Sequence, residues 1–318
     1  MGNLSRVLIQ SSLAFLVVGS IYTGEIDNFS NSVDMFRKTT PVIGINSEFG
    51  TSIRNFKDIF GKAGKENIND MEVYYIPLKT SEVNLIKVSG KNILVNTGTF
   101  DESKDLEKIL EKYEVKKIDH LILSLPTDEN MGGASYIIDK VPTDKIYMPL
   151  VNTDNALVQN FFKVLQYKKQ KLTKLEAGDE IEVGRAKIQI INIINRNVPE
   201  ITDASIAFNL NMEENNFLFT GDLKKEKQKK INWPDVDVLK FGKYGKDEYN
   251  SYELLKKSKP EYIIGINTTQ QKIDQNTINL LKSIESENKK NIESYIAKND
   301  KVIIVKSNGS EITMIKNN

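Results

Sequence analysis

Residues 121–134, LILSLPTDENMGGA, contain the features that decide the fold. An apolar run stops at Pro126, an acidic and amide-rich loop follows, and the stretch closes on two glycines. A short apolar run that ends at a proline predicts a buried strand, because proline cannot continue the hydrogen-bonded ladder of a sheet. Functional side chains of α/β folds lie in loops at strand ends, so this loop is the first candidate for a site.

The sequence around this loop alternates strands and helices. EVNLIKV (82–88) and NILVNTG (92–98) read as paired strands, and residues 101–117 read as a helix with Leu106, Ile109, Leu110 and Tyr113 on one apolar face. Further strands are predicted at 186–193, 204–212, 215–222, 235–242, 261–267, 301–309 and 310–315, and further helices at 155–170, 249–259 and 276–287. Two strand-rich halves with surface helices predict an α/β sandwich of four layers, αββα.

Composition excludes several kinds of chemistry. The chain has 318 residues, 39% of them apolar, which suits one large domain or one and a half. Lys and Arg number 44 against 43 Asp and Glu, so the molecule as a whole has no electrostatic attraction for nucleic acid or anionic membranes. There are no cysteines and one histidine, His120. Disulfides, thiol nucleophiles, cysteine zinc sites and sites with two imidazoles are therefore excluded.

The N-terminal residues predict export, and the many Lys and Asn residues with few Ala suggest that the cell is bacterial. Arg6 precedes an uncharged, mostly apolar stretch over residues 7–22, which is short of the roughly 20 apolar residues of a membrane span. We expect a signal peptide or signal anchor over 1–24, a polar linker or N-terminal extension over 25–70, and the sandwich over 71–318. A buried amphipathic helix is the alternative for the first segment. The expected location is extracellular or at the cell surface.

The order and spacing of these pieces resemble the metallo-β-lactamase fold, and in particular the extracellular domain of bacterial DNA-uptake competence proteins. In that family a strand I-D-H-L-I-L-T precedes H-P-H-x-D-H-x-G-G, and this chain has IDHLILSLPTDENMGG without a gap. KNILVNTG is similar to the family's I-L-I-D-T-G, FLFTGD matches its F-L-F-T-G-D, and VDVLKFGKYGK is similar to V-D-V-L-K-V-G-H-H-G-S. The resemblance covers residues 72–315 and implies the αββα fold.

The resemblance also implies a degenerate metal site, because the family's loops supply histidine and aspartate ligands to a zinc pair. The matching positions in this chain are Leu125, Thr127, Glu129, Asn130, Asp222, Lys243 and Tyr244. Asp222 matches the family's bridging aspartate, and Glu129 keeps a carboxylate. Zinc that activates water needs about three strong ligands, so no metal is expected, with Asp222 and Glu129 as the ligands if one binds.

Three functions remain open at this point. The leading hypothesis is an exported or membrane-tethered pseudoenzyme that binds an unknown protein or ligand. The second is a hydrolase of phosphodiesters or other esters, with Asp128, Glu129 and Asp222 holding magnesium, manganese, calcium or zinc and with Lys243 or Tyr244 on the anionic substrate. The third is nucleic-acid binding without cleavage, through the lysine-rich stretches 163–174 and 224–230. Such stretches are more often solvated helix faces.

Simpler structural roles are expected for several of these residues. His120 matches a family position outside the ligand set and is expected to orient a hydrogen bond at the sheet end. The carboxylate of Asp222 is expected to cap backbone N–H groups of its turn. Gly132 and Gly133 are expected to allow a tight turn into a helix.

Overall fold

The structure is a computed structural model that describes residues 70–151, 155–196, 198–288, 291–298 and 301–316. The predicted signal segment over 1–24 and the predicted linker up to residue 69 lie outside the described residues. The first described strand begins at Met71. Within the described ranges, no helix has both the length and the apolar character that a membrane crossing needs.

Two seven-stranded sheets form the centre of the described chain. The strands are β1 Met71–Pro77, β2 Glu82–Val88, β3 Lys91–Val95, β4 Ile118–Ile122, β5 Thr143–Tyr147, β6 Glu180–Val183, β7 Ala186–Asn192, β8 Ala207–Met212, β9 Asn215–Phe219, β10 Val238–Lys240, β11 Tyr262–Ile266, β12 Glu293–Ala297, β13 Ile303–Ser307 and β14 Ile312–Lys316. The first sheet has the order β14-β13-β1-β2-β3-β4-β5, and the second has the order β12-β11-β10-β9-β8-β7-β6.

Helices cover the outer face of each sheet. They are α1 Ser103–Lys112, α2 Asp128–Met131, α3 Ala134–Lys140, α4 Ala156–Tyr167, α5 Lys225–Gln228, α6 Tyr252–Ser258 and α7 Gln275–Asn288. The predicted apolar face of α1 is confirmed, because Leu106 and Leu110 are buried and Ile109 packs against the same cluster. Helices α1, α3 and α4 pack on the first sheet, while α6 and α7 pack on the second.

Three apolar clusters separate the four layers. The middle cluster lies between the sheets, where Val73 of β1 meets residues such as Phe208 of β8. The next side chain of β1, Tyr74, points to the helices of the first sheet instead. Strands covered on both faces need apolar residues at consecutive positions, as at Val73–Ile76 of β1 and Leu85–Ile86 of β2. The predicted αββα sandwich is confirmed.

Parallel strand pairs determine where the functional loops lie. In the first sheet β3 pairs with β4 and β4 with β5 in parallel. In the second sheet β9, β10 and β11 are parallel neighbours. The loop after β4 meets the segment before β8, where the N–H of Ile206 donates to the carbonyl of Ser124 at 2.8 Å. The loop after β9 lies at the same edge, where Asp222 accepts a hydrogen bond from the amide of Asn130 at 3.0 Å. This edge brings together loops far apart in sequence.

Candidate functional site

Asn96 connects the ends of β3 and β4 to helix α2. Its Oδ1 accepts a hydrogen bond from the N–H of Ser124 at 2.9 Å, and its Nδ2 donates to Oδ1 of Asn130 at 2.9 Å. The backbone of Asn96 is left-handed, with φ of 64°, a conformation that asparagine tolerates better than most residues. The amide of Asn130 is therefore held from both sides by the fold.

Gly132 and Gly133 allow the backbone to pass close to the loop after β3. A Cβ on Gly132 would lie 2.7 Å from the backbone nitrogen of Phe100, and one on Gly133 would lie 2.7 Å from the carbonyl oxygen of Thr97. Helix α2 begins before both glycines, at Asp128. The two glycines form the turn between α2 and α3, and Gly133 is the N-cap of α3, so the expected turn into a helix is confirmed. Lack of space is the physical reason for glycine here.

Ser205 joins the second sheet to the loop after β4. Its Oγ accepts from the N–H of Asp222 at 2.9 Å and donates to the carbonyl of Ser124 at 3.3 Å. Gly221 precedes Asp222 with φ of +57°, and a Cβ there would lie 2.4 Å from this hydroxyl. The serine and the glycine together fix the direction in which the Asp222 side chain leaves the strand end.

The loop after β10 presents Lys243 and Tyr244 in strained backbone. Lys243, Tyr244 and Gly245 have consecutive φ values of 39°, 56° and 72°. Left-handed backbone costs a residue with a side chain about 1–2 kcal/mol, so two such residues in a row store strain. Tyr244 is 3% exposed, which shows that its ring is packed into the protein despite this conformation.

Five of the seven predicted site residues meet in a single group, which we call the Lys243 cluster: Glu129, Asn130, Asp222, Lys243 and Tyr244. The ammonium of Lys243 lies 2.5 Å from Oε2 of Glu129 and 3.3 Å from Oδ2 of Asp222. The amide of Asn130 donates to the same Asp222 oxygen at 3.0 Å. The hydroxyl of Tyr244 donates to Oε2 of Glu129 at 3.3 Å.

The other predicted residues lie beside this cluster. Oγ1 of Thr127 accepts from Nδ2 of Asn130 at 2.9 Å, so it positions the amide. Leu125 is buried at 1% exposure and supplies only apolar contact. Asp128 is exposed at the start of α2 and makes none of the cluster's hydrogen bonds in the described part of the chain. Burial, together with nearby Asp101 and Glu129, raises the pKa of Asp128.

The charges of the cluster keep Lys243 protonated and Tyr244 neutral. Burial opposes the charge on Lys243, but the carboxylates of Asp222 and Glu129 outweigh it and hold the pKa of the lysine above its usual range. Burial also raises the pKa of the Tyr244 phenol, and the negative charge of Glu82 adds to the effect. The cluster is therefore an ammonium ion between two carboxylates, with a neutral phenol beside them.

Glu82 and Lys240 form a second buried ion pair close to the cluster. They are 8% and 7% exposed, and the ammonium donates to Oε1 of Glu82 and to the carbonyl of Phe241. Burial raises the pKa of Glu82 against the opposing effect of Lys240, and Asp222 adds to the rise. Oε2 of Glu82 has no hydrogen-bond partner among the described residues. Sequence reasoning missed this pair, because its members are 158 residues apart.

The side chains of the cluster do not fit a zinc centre. Oε2 of Glu129 and Oδ2 of Asp222 already accept hydrogen bonds from N–H or O–H groups, and Asn130 turns its amide nitrogen toward Asp222. Leu125 has no lone pair to offer. Across the described ranges, no group of three His, Asp or Glu side chains could hold a metal ion. Zinc binds where the lone pairs of several ligands converge on one point. In this cluster hydrogen-bond donors occupy that point.

Two simpler expectations have different outcomes. The backbone-capping role expected for Asp222 is wrong, since the hydrogen bonds to its carboxylate come from the side chains of Asn130 and Lys243. His120 is buried, and its Nδ1 lies 3.0 Å from the hydroxyl of Tyr147, as a structural role requires. Burial, and then Lys145, lower the pKa of His120.

Two clefts of the described surface lie away from the cluster. One of about 620 Å³ is lined by residues that include Lys225, Asp247 and Asn276. The other, of about 200 Å³, is lined by residues that include His120 and Asp144. Residues of the Lys243 cluster line neither cleft.

Solved structures similar to this chain are metallo-β-lactamase-fold proteins. The metallo-β-lactamase-fold protein YhfI from Bacillus subtilis is 18% identical, with a TM-score of 0.50 over 74% of this chain and 99% of YhfI. CmlA, a diiron β-hydroxylase from Streptomyces venezuelae, is 12% identical, with a TM-score of 0.49 over 84% of this chain and 60% of CmlA. Igni18, a metallo hydrolase from Ignicoccus hospitalis, is 13% identical, with a TM-score of 0.47 over 74% of this chain and 98% of Igni18.

No protein-family model and no curated protein matches the sequence. The similarity to YhfI, together with two mixed sheets flanked by helices, gives the class of this chain as a protein with the metallo-β-lactamase fold. At 18% identity this similarity concerns the fold alone. The function has to be argued from the side chains of the site.

Proposed function

We propose that this chain is a non-catalytic member of the metallo-β-lactamase fold that acts as a binding or scaffold module. The observation that supports the proposal is the position of the Lys243 ammonium, 2.5 Å from Glu129 and 3.3 Å from Asp222. An ammonium ion neutralises one of the two negative charges and lies between the carboxylates, in the place where a metal ion would lie. The cluster then stabilises the loop ends instead of performing chemistry.

The chemistry of the cluster argues against hydrolysis. An ammonium ion has no empty orbital and cannot coordinate a water molecule, so it cannot generate a metal-bound hydroxide. Oε2 of Glu129 and Oδ2 of Asp222 each accept two hydrogen bonds within the cluster, so neither of these two oxygens is free to take a proton from water. The raised pKa of Tyr244 keeps its phenol protonated and poorly nucleophilic. The side chains of Glu129, Asp222 and Tyr244 are each hydrogen-bonded to another side chain of the cluster.

The resemblance to the extracellular domain of DNA-uptake competence proteins supports the same proposal. FTGD, including Asp222, is kept, while the histidine positions hold Leu125, Thr127, Lys243 and other residues. Replacement of ligands with retention of the fold is the pattern expected of a pseudoenzyme. We further propose that the chain is exported or membrane-tethered through residues 1–24, which Arg6 and the following apolar stretch support.

The metal content of the full chain tests the catalytic part of the proposal. We would dialyse the purified protein against trace zinc and manganese, measure bound metal by elemental analysis, and titrate magnesium by calorimetry. The expected result is no stoichiometric metal in a chain that is folded by circular dichroism. Lys243→Ala removes the ammonium, and metal uptake by this variant alone would show that the lysine takes the place of a cation.

The result that overturns the proposal is about one metal per wild-type chain, lost in Asp222→Ala and kept in Glu111→Ala. Glu111 is an exposed carboxylate of α1 and serves as the matched control. Hydrolysis of a chromogenic phosphodiester by that metal-loaded protein would then support the hydrolase alternative. Export has a separate test, in which cell fractionation and N-terminal sequencing of the mature chain locate the protein and identify any cleavage.

A further inference from the structure

The outward face of helix α4 exposes two aromatic side chains. Val158, Phe161 and Leu165 attach the helix to the first sheet through its buried face. Outside this buried face Phe162 is 44% exposed, and Tyr167, the last residue of the helix, is 86% exposed. An exposed tyrosine at a helix end is common, but an exposed phenylalanine five residues earlier adds a second large apolar side chain to this surface.

Lysines without a partner surround these aromatic side chains. Residues 155–174 contain five lysines and no acidic residue. Two of the lysines are paired, Lys168 with Asp139 at 2.7 Å and Lys174 with Glu176 at 2.7 Å. The other three form no ion pair among the described residues, and all three are exposed: Lys163, Lys169 and Lys171. This face therefore carries uncompensated positive charge.

In the second lysine-rich stretch three of the five lysines are paired. Lys224 pairs with Glu200 at 3.0 Å, Lys225 pairs with Asp247 at 2.6 Å, and Lys229 pairs with Glu226 at 2.8 Å, while the other two form no ion pair among the described residues. The two stretches look alike in sequence, yet only the one on α4 combines free lysines with exposed aromatic rings. The lysines of this stretch attract anions, and its aromatic rings can insert into an apolar layer.

We infer that the exposed surface of α4 and of the segment that follows it, made of Phe162, Lys163, Tyr167, Lys169 and Lys171, docks on an anionic lipid surface. Tyrosine and phenylalanine insert at the boundary between headgroups and acyl chains, while lysines extend to the phosphates. The face is a convex helix surface, and neither of the two clefts described above includes it. Single-stranded nucleic acid is usually held in a basic groove, so the convex shape favours a flat lipid surface.

The charges give the size of the expected effect. Each lysine near an anionic membrane strengthens binding by about five-fold. Loss of Lys163, Lys169 and Lys171 should therefore weaken docking by about 100-fold at low salt. High salt should reduce the docking of the unchanged face, because it screens exposed charges.

A tryptophan at position 167 tests the inference on the full chain. The single native tryptophan, Trp233, is 4% exposed, so Tyr167→Trp adds one reporter on this face. The parent chain gives the background signal of Trp233. We expect a blue shift and protection from acrylamide with vesicles of phosphatidylglycerol and phosphatidylcholine in equal parts, and no change with phosphatidylcholine alone. The reporter is local, so lipid binding by residues 1–24 does not imitate its signal.

Two sets of substitutions in the Tyr167→Trp background give the matched comparison. Lys163→Gln, Lys169→Gln and Lys171→Gln together should abolish the blue shift, and Lys224→Gln, Lys225→Gln and Lys229→Gln together should leave it. Thermal unfolding confirms that each variant is folded. An unchanged reporter with anionic vesicles, or equal loss in both sets, overturns the inference. A reporter that responds to a single-stranded oligonucleotide and not to vesicles also overturns it, and assigns the face to nucleic acid.

Discussion

The ammonium of Lys243 lies 3.3 Å from the carboxylate of Asp222, a residue 21 positions earlier in the chain. Asp222 is 6% exposed, so removal of the ammonium leaves a buried carboxylate without its cation. We expect Lys243→Met to lower the free energy of unfolding by about 2–4 kcal/mol, because an unpaired buried charge is costly. Urea denaturation of the full chain measures this change.

A double-mutant cycle separates the pair from the rest of the cluster. Asp222→Asn in the Lys243→Met background removes the unpaired charge, so the double variant should recover about 1 kcal/mol or more relative to Lys243→Met. Lys246→Met serves as a control, since that lysine pairs with Asp274 at a more exposed site. Equal destabilisation by both lysine variants would contradict a special role for the Lys243 cluster.

The fold was predictable because its signals are local or ordered along the chain. The β-branched and leucine-rich segments at 82–88 and 118–122 and the apolar stripe of α1 each identify their element without tertiary information. Other strands went unpredicted because their signals are weak. β6, for example, has only four residues, and Glu180 and Glu182 occupy its exposed positions. Such a strand is defined by pairing with its neighbour rather than by its own sequence.

The candidate site was predictable as a set of positions but not as a set of contacts. The family spacing identified Glu129, Asp222 and Lys243, but no feature of the sequence states that the lysine side chain turns between the two carboxylates. Asn96 and Ser205 were missed as positioning residues for the same reason. Their partners are 28 and 17 residues away, and only the folded loops bring them together.

Gly221 should tolerate a side chain much less than another glycine with positive φ. At Gly221, φ is +57° and a Cβ would lie 2.6 Å from the carbonyl oxygen of Ile206. Gly178 has φ of +98° with no atom within 4 Å of its Cβ position. We expect Gly221→Ala to cost about 2–4 kcal/mol and Gly178→Ala about 1–2 kcal/mol in thermal unfolding. Equal losses would show that backbone strain alone decides the cost.

Glu102 should make the stability of the protein sensitive to acid. It is 4% exposed and accepts from the backbone N–H of Thr80 at 2.6 Å and of Thr99 at 3.0 Å, as well as from the hydroxyl of Ser81. Burial would raise its pKa, but these donors outweigh burial and hold the pKa below its usual value of 4.5. Its contribution is therefore complete above pH 4.5 and is lost as pH falls through the lowered pKa.

We expect Glu102→Gln to lose about 1–3 kcal/mol at neutral pH, and to lose less additional stability on acidification than the wild type. Urea denaturation at a series of pH values from neutral to acid measures both effects. Glu111→Gln, an exposed change on α1, is the control and should follow the wild type. If the wild type and Glu102→Gln lost the same free energy of unfolding on acidification, Glu102 would be excluded as the source of the acid sensitivity.

His120 should contribute a second, distinct pH dependence at higher pH. Burial and Lys145 lower its pKa below 6.5, so the unfolded chain takes up the imidazole proton before the folded chain does. Stability is then complete above about pH 6.5 and declines as pH falls from there toward the lowered pKa of the folded state. His120→Gln keeps a polar group near Tyr147 and cannot titrate, so its free energy of unfolding should change less between about pH 7 and pH 5. A steeper pH dependence in this variant than in the wild type would mean that the folded state favours the charged imidazole.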